Sequence, residues 1–351
     1  MTTTKQAGGA SPVDFTAFGD YGDFRPKKAA PPVGTKTGEF VRAAYPFQGR
    51  ITADGSSGYK AEAGRYHLYI SWACPWAHRS AIVRELLGLD DVVSLSAVDP
   101  VRDGRGWAFR AGDAFDLDPV NGFSLLRDAY EVTEPGYAGH ISVPVLWDRQ
   151  TRRIVSNNFP DITLDLDTQF GAWANPAYDL YPEHLRPEID DLNELVYATV
   201  NNGVYRSGFA TTQESYHQAV TRLFETLDLL EDRLAGHRFL LGDAITEADV
   251  RLWVTLARFD AVYYSHFKCN LRRITDYPNL WGYARDLYAQ PAFRDTTKFD
   301  QIKRHYYTTH PNLNPTRIVP DGPVLDWTAP AGREHLGAPP TQVPPAGRTV
   351  T

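Results

Sequence analysis

Cys74 is the residue whose type and setting most favour nucleophilic chemistry. It follows the aromatic and β-branched run Tyr66–Ile70, which predicts a strand, and it stands directly before Pro75. Proline favours the first position of a helix, and residues 76–87 continue with helical spacing. The thiol is therefore predicted at a helix N-terminus, where backbone N–H groups and the helix dipole favour a thiolate. A buried, inert cysteine is the alternative interpretation.

The chemistry open to Cys74 is that of a monothiol. Position 77 is alanine, so no second cysteine stands where a dithiol site would form an internal disulfide. The thiol must attack a substrate sulfur or an electrophile and then be released by a second thiol. His78 and Arg79 either add positive potential or lie on a solvated helix face. The second cysteine, Cys269, lacks the strand–proline–helix context and is interpreted as structural.

The elements around Cys74 predict a thioredoxin-like fold. A second strand is predicted at residues 92–98, a helix at 125–132, and two strands of a hairpin at 141–147 and Arg153–Ser156, with a helix after them. Pro144 is awkward inside a strand because it cannot donate to the ladder. A cis Val143–Pro144 bond facing the thiol explains its position.

From about residue 180 the pattern becomes helical. Helices are predicted at residues 187–202, 212–234, 246–268 and 279–288. Thr246 and Asp249 open the third with a capping-box pattern, so Asp249 is interpreted as a structural cap. Tyrosines recur in this half of the chain, where they either pack in the core or contact an aromatic, oxygen-bearing ligand. The most notable are Tyr205, Tyr263, Tyr264, Tyr306 and Tyr307.

Four regions are predicted along the chain. Residues 1–58 form an extended arm anchored by aromatic side chains, and residues 59–170 form the thioredoxin-like, thiol-binding domain. Residues 171–307 form an all-helical substrate domain, and the proline-rich residues 308–351 form a tail that is wrapped over the surface or disordered. The aromatic residues that anchor the start of the arm are Phe15, Phe18, Tyr21 and Phe24.

Composition excludes several classes of protein. A net charge of −7 over 351 residues, without a long basic run, disfavours a nucleic-acid partner. No apolar window is long enough to span a membrane, and the N-terminus lacks the apolar core of a signal peptide. The ten histidines are scattered, and no metal-binding motif occurs. Two cysteines do not make a disulfide scaffold, so a reducing cytoplasm is expected.

Six blocks of sequence, in order over residues 38–307, resemble the glutathionyl-hydroquinone reductases, the Xi class of the glutathione transferases. The resemblance implies a thioredoxin-like N-terminal domain, an all-helical C-terminal domain and a homodimer. It also implies a reaction in which a cysteine takes glutathione from a glutathionyl-hydroquinone and a second glutathione resolves the mixed disulfide. The blocks are Cys74-Pro-Trp-Ala-His-Arg79, Gly106-Trp107, Asp118-Pro-Val-Asn-Gly122, Ser142-Val-Pro-Val-Leu-Trp-Asp148, Asn201-Asn-Gly-Val-Tyr205 and His266-Phe-Lys-Cys-Asn-Leu-Arg-Arg273.

The resemblance also assigns roles to individual residues. Cys74 is implied as the nucleophile, Trp107 lies against the thiol cosubstrate, and Val143 offers backbone hydrogen bonds beside Pro144. The resemblance places three tyrosines around the hydroquinone and its leaving oxygen, with positions 264 and 307 as the neighbouring alternatives to two of them. These three are Tyr205, Tyr263 and Tyr306.

Two departures from the family pattern bear on the cosubstrate. His140 stands where the family usually has an arginine that pairs with a glutathione carboxylate. Asn157, Asn158 and Phe159 stand where the family has Asn-Glu-Ser, which grips the γ-glutamyl end. Losing a charged partner costs about 1.5–3 kcal/mol, so glutathione is expected to bind weakly unless neighbouring groups compensate. Another low-molecular-weight thiol, such as the sugar-bearing mycothiol, is therefore slightly favoured.

Three functions follow as hypotheses. The first is a thiol-dependent reductase acting on an aromatic thiol conjugate through Cys74. The second is a transferase or dehalogenase that forms thioethers with aromatic substrates. The third is a ligand-binding protein that keeps the fold without catalysis, in which Cys74 titrates near the usual cysteine pKa of about 8.5.

Overall fold

A computed structural model of the chain describes residues 8–17 and 38–337. Within these residues a four-stranded sheet forms first and helices follow. The strands and longer helices are β1 (Tyr66–Ile70), α1 (Pro75–Leu86), β2 (Ser94–Ala97), α2 (Arg127–Thr133), β3 (Val145–Asp148), β4 (Arg153–Ser156), α3 (Phe159–Gln169), α4 (Arg186–Val196), α5 (Gly203–Gly208), α6 (Gln213–Leu234), α7 (Glu247–Arg258), α8 (Pro278–Tyr288), α9 (Pro291–Arg294) and α10 (Phe299–Thr309). Short 3₁₀ turns lie at Phe15–Ala17, Glu183–Leu185, Ile274–Asp276 and Glu334–Leu336, and π turns at Tyr197–Asn201 and Phe259–Tyr263.

The sheet has the strand order β2-β1-β3-β4. Strand β1 pairs parallel with β2 and antiparallel with β3, and β3 pairs antiparallel with β4. Because β1 has neighbours on both edges and helices near it, all five of its residues are buried, which suits its apolar and aromatic sequence. The order of elements is thioredoxin-like, as the sequence predicted.

Helix α1 begins where the sequence placed it. Cys74 is its N-cap, with an extended backbone at φ −78° and ψ 119°, and Pro75 occupies the first helical position. Gly88 follows the helix with φ 61°, a left-handed conformation that glycine adopts without steric cost, and its N–H donates to the carbonyl of Glu85. The strand, turn and helix start that position the thiol are therefore local features of the sequence.

The hairpin differs in one respect from the sequence prediction. The Val143–Pro144 bond is cis, as predicted. However, β3 begins at Val145 and not at residue 141, so the predicted strand was too long at its start. The reason is that Pro144 has no N–H to donate to the ladder.

Two long helices predicted in the second half are interrupted by π turns. Helix α4 gives way to a π turn in which the N–H of Asn202 donates to the carbonyl of Tyr197 at 2.9 Å. Helix α7 gives way to another, in which the N–H of Tyr264 donates to the carbonyl of Phe259 at 2.8 Å. Predicted helices 187–202 and 246–268 are thus wrong as continuous helices, because these bonds span five residues and change the register. The predictions of α6 and α8 are accurate to one residue.

Helices α5 and α10 were not predicted, although they carry Tyr205 and Tyr306. Helix α5 is six residues long and contains two glycines, so its sequence has no clear periodicity. Helix α10 runs across residue 308, where the tail was predicted to begin.

The predicted structural cap of α7 is confirmed. Buried Asp249 accepts from the N–H of Thr246 at 2.7 Å and from the hydroxyl of Tyr283 at 2.8 Å.

The described part of the arm crosses both halves of the molecule. Gln48 bridges to Ser156 at the edge of the sheet, while the carbonyl of Gly38 accepts from the N–H of Thr211 in the helical half. Of the anchoring aromatics, Phe15 is described and lies under the guanidinium of Arg317 at 4.5 Å. Those at positions 18, 21 and 24 lie outside the described residues.

The described part of the tail covers the helical half. The Trp327 ring packs 4.7 Å from Trp281 and 5.5 Å from Trp253, which supports the wrapped alternative for residues 308–337. Residues 338–351 lie outside the described residues. Among the described helices, none has both the length and the apolar character needed to cross a membrane.

Candidate active site

The Cys74 thiol lies in a small cavity between the sheet and the helices. Its Sγ is 3.5 Å from the carbonyl oxygen of Val143, beside the cis bond to Pro144, and the thiol donates to that oxygen. The cavity has a volume of about 40 Å³. Of the predicted site residues, six line it together. The described residues around it are Arg42, Tyr45, Cys74, Pro75, Trp76, Arg102, Trp107, His140, Ser142, Val143, Tyr205, His305 and Tyr306.

Burial raises the pKa of the Cys74 thiol above its usual value, which is opposite to the direction predicted from the helix start. The predicted effect is present, because the backbone N–H groups of Ala77 and Trp76 lower this pKa. The charges of Arg258 and Arg42 lower it as well. Desolvation outweighs all of them, so in this closed pocket the thiol rests in its neutral form.

Among the charged side chains that lower the Cys74 pKa, Arg258 of α7 has the largest effect, whereas His78 has none. Arg258 donates through Nε to the carbonyl of Ala73 at 3.0 Å and through Nη2 to that of Trp72 at 2.9 Å. Its Nη1 also donates to Nδ1 of His78 at 3.1 Å. Burial and the charge of Arg258 hold the pKa of His78 well below its usual value, so this ring is neutral. Arg79 is fully buried and lies 5.0 Å from the Phe159 ring centre.

Three tyrosine hydroxyls form a hydrogen-bonded cluster at the pocket. The hydroxyl of Tyr306 pairs with that of Tyr205 and, at 3.0 Å, with that of Tyr263. Tyr205 and Tyr306 line the cavity, whereas Tyr263 lies behind Tyr306. Burial raises the pKa of all three, so they remain protonated donors at neutral pH. Of the alternatives, Tyr307 pairs with Ser265 at 2.5 Å.

Trp107 and His140 form the opposite wall of the cavity. The Trp107 ring is stacked on His305, with centroids 5.1 Å apart, and the guanidinium of Arg102 lies 4.7 Å from its centre. Burial, with the charges of Arg102 and Arg42, lowers the pKa of His140 to about 4, so it is neutral at pH 7. None of the described residues lining the cavity is acidic, and its charge is positive through two arginines.

The arm closes this cavity. The guanidinium of Arg42 lies 4.5 Å from the Trp76 ring centre and 4.7 Å from that of Tyr205, and its Nε donates to Asn202 Oδ1 at 3.1 Å. Tyr45 lines the same cavity. A volume of about 40 Å³ holds water but no aromatic ring, because small-molecule sites measure roughly 300–1,000 Å³. A ligand with an aromatic ring therefore reaches the thiol only if residues of the cavity wall move.

The two asparagines predicted to bind the cosubstrate differ in position. Asn157 is buried, accepts from the N–H of Phe47 at 3.2 Å and donates to the hydroxyl of Tyr130, so it ties the arm to the sheet. Asn158 is the N-cap of α3 and lines a second, open groove next to the thiol pocket. Phe159 lies between the thiol cavity and this groove, with its ring centroid 4.6 Å from that of Trp76.

Two family models match the chain: the glutathione S-transferase N-terminal domain over residues 73–169 and the C-terminal domain over residues 213–286. The glutathionyl-hydroquinone reductase YqjG of Escherichia coli K12 is 46% identical over 306 residues, which cover 85% of this chain and 93% of that protein. The glutathionyl-hydroquinone reductase PcpF of Sphingobium chlorophenolicum is 47% identical over 286 residues, covering 82% and 90%.

Solved structures agree with these matches. The glutathione-S-transferase Xi from Phanerochaete chrysosporium is 48% identical, with a TM-score of 0.79 over 81% of this chain and 98% of that one. This chain belongs to the Xi-class glutathione transferases. The glutathione-bound structure of YqjG, a member at 46% identity, has a TM-score of 0.80 and covers 82% of this chain and 96% of that one.

Two arginines of this Xi-class chain were missed by sequence reasoning. Arg258 stands within an apolar helical run, and nothing local shows that its side chain reaches the Cys74 loop. Arg42 stands in an arm whose sequence indicates only anchoring aromatic residues. In this Xi-class protein both charges lie near the thiol, and both come from segments distant from it in sequence.

No group of three or more His, Cys, Asp or Glu side chains in the described residues is arranged to hold a metal ion.

Proposed function

We propose that this chain removes a low-molecular-weight thiol from the thioether of a hydroquinone, through a mixed disulfide on Cys74. One observation carries the proposal: a single cavity joins a lone thiol at a helix start to a cluster of tyrosine hydroxyls. The thiol supplies a nucleophile, and the hydroxyls supply donors for a hydroquinone oxygen. The names of the two curated relatives, both glutathionyl-hydroquinone reductases, support this reaction.

The proposed reaction has two steps, attack on a thioether sulfur and then thiol–disulfide exchange. The Cys74 thiol loses its proton, and the thiolate attacks the thioether sulfur to form an S–S bond. The electron pair of the broken C–S bond passes to the ring carbon, which takes up a proton, so the hydroquinone leaves in its unsubstituted form. A second thiol, as its thiolate, then attacks the cosubstrate sulfur, which releases Cys74 and forms the disulfide of two cosubstrate molecules.

Residues in and around the cavity stabilise the charges that develop on the thiol and on the hydroquinone during the reaction. The guanidinium groups of Arg258 and Arg42 stabilise the Cys74 thiolate electrostatically. Tyr306, supported by Tyr205 and Tyr263, donates to the hydroquinone oxygen while electrons pass into the ring. Trp107 offers a flat apolar surface next to the thiol.

The cosubstrate is glutathione or another low-molecular-weight thiol such as mycothiol. Arg102 and Arg42 beside the neutral His140 supply positive charge at one end of the cavity, which compensates for the arginine expected at position 140. Asn158 and Phe159 line the neighbouring groove and supply no such charge there. The second departure is therefore the one that favours a thiol other than glutathione.

Incubation with a naphthohydroquinone thioether and the matching free thiol tests the function. We expect unsubstituted hydroquinone and a disulfide product, no turnover by Cys74→Ala, and normal turnover by Cys269→Ala, whose thiol is fully buried in the helical half. Turnover that survives Cys74→Ala contradicts the mechanism. Accumulation of thioethers from the free quinone indicates the conjugating activity instead.

The raised pKa of Cys74 favours a second function, ligand binding without catalysis. A neutral thiol reacts slowly, because the thiolate is the nucleophile, and a binding protein of this fold needs no nucleophile. Tight binding of hydroquinone thioethers without any product would support this second function.

The proposed reaction also bears on the compartment in which the protein works, and the family resemblance bears on its oligomeric state. Resolution by a second thiol requires a reducing compartment such as the cytoplasm. The resemblance to the family predicts a homodimer, which light scattering on the purified chain tests directly.

A further inference from the structure

We propose that the groove beside the thiol pocket binds a neutral, hydroxyl-rich group, the sugar-like end of the thiol cosubstrate. This inference rests on the proposed function. The groove has a volume of about 310 Å³, which is at the lower end of the range for small-molecule sites. Tyr45 borders both spaces, so a ligand whose sulfur lies at Cys74 can extend into it. The groove is lined by Tyr45, Asn158, Phe159, Pro160, Asp190, Asn193, Glu194, Tyr197 and Arg251.

One wall of the groove is a single face of α4 and the turn after it. Asp190, Asn193, Glu194 and Tyr197 are spaced at i, i+3, i+4 and i+7, which places them side by side on a helix. This face offers two carboxylates and an amide oxygen as hydrogen-bond acceptors. Acceptors of this kind suit a ligand that carries several hydroxyl donors.

Across the groove the wall is aromatic. The Phe159 ring contacts that of Tyr45 edge to face at a centroid distance of 5.4 Å, and that of Tyr197 at 6.3 Å. Apolar ring faces beside hydrogen-bonding groups match a molecule with C–H faces and hydroxyl edges. A pyranose or cyclitol ring has this character.

Asn193 provides an independent indication of a ligand. Its Nδ2 donates to Glu247 Oε2 at 2.7 Å, which fixes the orientation of the amide because a carboxylate accepts and does not donate. Its Oδ1 is buried and accepts no hydrogen bond from any described residue, and the side chain is only 4% exposed. Asn193 lines the groove, and a hydroxyl of a bound ligand is the kind of donor that this unsatisfied acceptor lacks.

The same groove disfavours the carboxylate of a γ-glutamyl group. The amide nitrogen of Asn158 is already bonded to Asp161 Oδ2 at 2.7 Å. The cation of the groove, Arg251, is paired with Glu247 at 2.5 Å. The groove thus holds two carboxylates, Asp190 and Glu194, against one arginine that is already paired through Nε, so a ligand carboxylate meets net negative charge, whereas neutral hydroxyls meet no such repulsion.

Thioethers of one hydroquinone with different thiols test the inference. We expect the mycothiol conjugate to exceed the glutathione conjugate at least tenfold in kcat/KM. Glu194→Gln combined with Asp190→Asn should raise KM for the mycothiol conjugate at least fivefold, without lowering kcat/KM for the glutathione conjugate. Glu188→Gln, an exposed carboxylate of α4 that does not line the groove, is the matched control. Equal kcat/KM for the two conjugates, or equal losses in the double variant, overturns the inference and leaves the proposed function intact.

Binding to the Cys74→Ala protein separates the two proposals. Calorimetry with S-methyl mycothiol and S-methyl glutathione reports on the groove whether or not any conjugate is turned over. We expect at least tenfold tighter binding of the sugar derivative, and loss of that preference in the double variant. Tighter or equal binding of the glutathione derivative overturns the inference, even if no turnover is found and the proposed function fails.

Discussion

The guanidinium of Arg258 donates to the carbonyl oxygen of Ala73 at 3.0 Å, which joins the last turn of α7 to the residue preceding the thiol. This contact places a cation from the helical half behind the nucleophile of the sheet half. It lowers the pKa of Cys74 against the larger effect of burial. The reactivity of the thiol therefore depends on how both halves of the chain meet.

Thiolate formation at Cys74 should occur at higher pH than in an exposed cysteine. Because burial raises the pKa, the thiolate fraction at pH 7 is lower than usual and increases as pH rises beyond about 8.5. Ultraviolet absorbance of the thiolate, recorded as the difference between the native chain and Cys74→Ala, measures this titration. A midpoint below that of an ordinary cysteine would contradict the expected direction.

Loss of the Arg42 charge should raise the pKa of Cys74 further. Arg42→Met removes a cation that lowers this pKa, whereas Arg42→Lys keeps a positive charge near the rings of Trp76 and Tyr205. We expect a midpoint shift of about half a pH unit or more in Arg42→Met, from an interaction of order 1 kcal/mol, and a smaller one in Arg42→Lys. Equal titrations of the three proteins would show that the arm has no electrostatic influence on the thiol.

Tyr306→Phe should lower kcat more than it changes KM. The variant removes the hydroxyl that joins Tyr205 and Tyr263, and donors of this kind contribute roughly 100-fold or more to rate. Tyr307→Phe is the matched control, because that hydroxyl pairs with Ser265 outside the cavity lining. Steady-state kinetics with a hydroquinone thioether measures kcat and KM for both variants. Equal losses of kcat in the two variants would show that the effect comes from changed packing and not from the lost Tyr306 hydroxyl.

Tyr45→Ala should open the thiol cavity to large reagents. The present volume of about 40 Å³ excludes an aromatic ring, and Tyr45 lies on its arm side. We expect the labelling rate of Cys74 by a bulky aryl maleimide to rise relative to that by iodoacetamide. Tyr59→Ala, which changes a tyrosine just after the arm and outside the cavity lining, should leave the ratio unchanged. An unaltered ratio in Tyr45→Ala would mean that another route leads to the thiol.

The folded chain should lose stability as pH falls below about 6.5. His78, His305 and His310 are buried, and desolvation holds their pKa values well below the usual one. Below about pH 6.5 the unfolded chain binds protons that the folded chain does not, so each histidine costs about 1.4 kcal/mol per pH unit. The thermal midpoint, measured at fixed protein concentration from about pH 7 to about pH 5, should decrease. The decrease should be smaller in His78→Gln, which cannot take up this proton.

Local sequence determined the elements that present the nucleophile. The run Tyr66–Ile70 is rich in aromatic residues and ends in a β-branched one, and Pro75 starts a helix at its first position. The capping box at Thr246 and Asp249 and the helix stop at Gly88 depend on the same kind of information. These features rest on backbone geometry within a few residues, so they can be deduced from the chain alone.

Only the tertiary structure decided the environment of the thiol. Burial of Cys74 reverses the direction of the pKa shift expected from the helix start, and the two cations that partly oppose burial, Arg42 of the arm and Arg258 of α7, come from distant parts of the sequence. The π turns at Tyr197–Asn201 and Phe259–Tyr263 have no local sequence signal, because the same residue types favour an α-helix and a π turn. The burial of a residue and the position of its side chain depend on many non-local contacts. The sequence therefore specified the nucleophile, while the packing of both halves determined the pKa of the thiol, the position of the tyrosine donors and the shape of the groove.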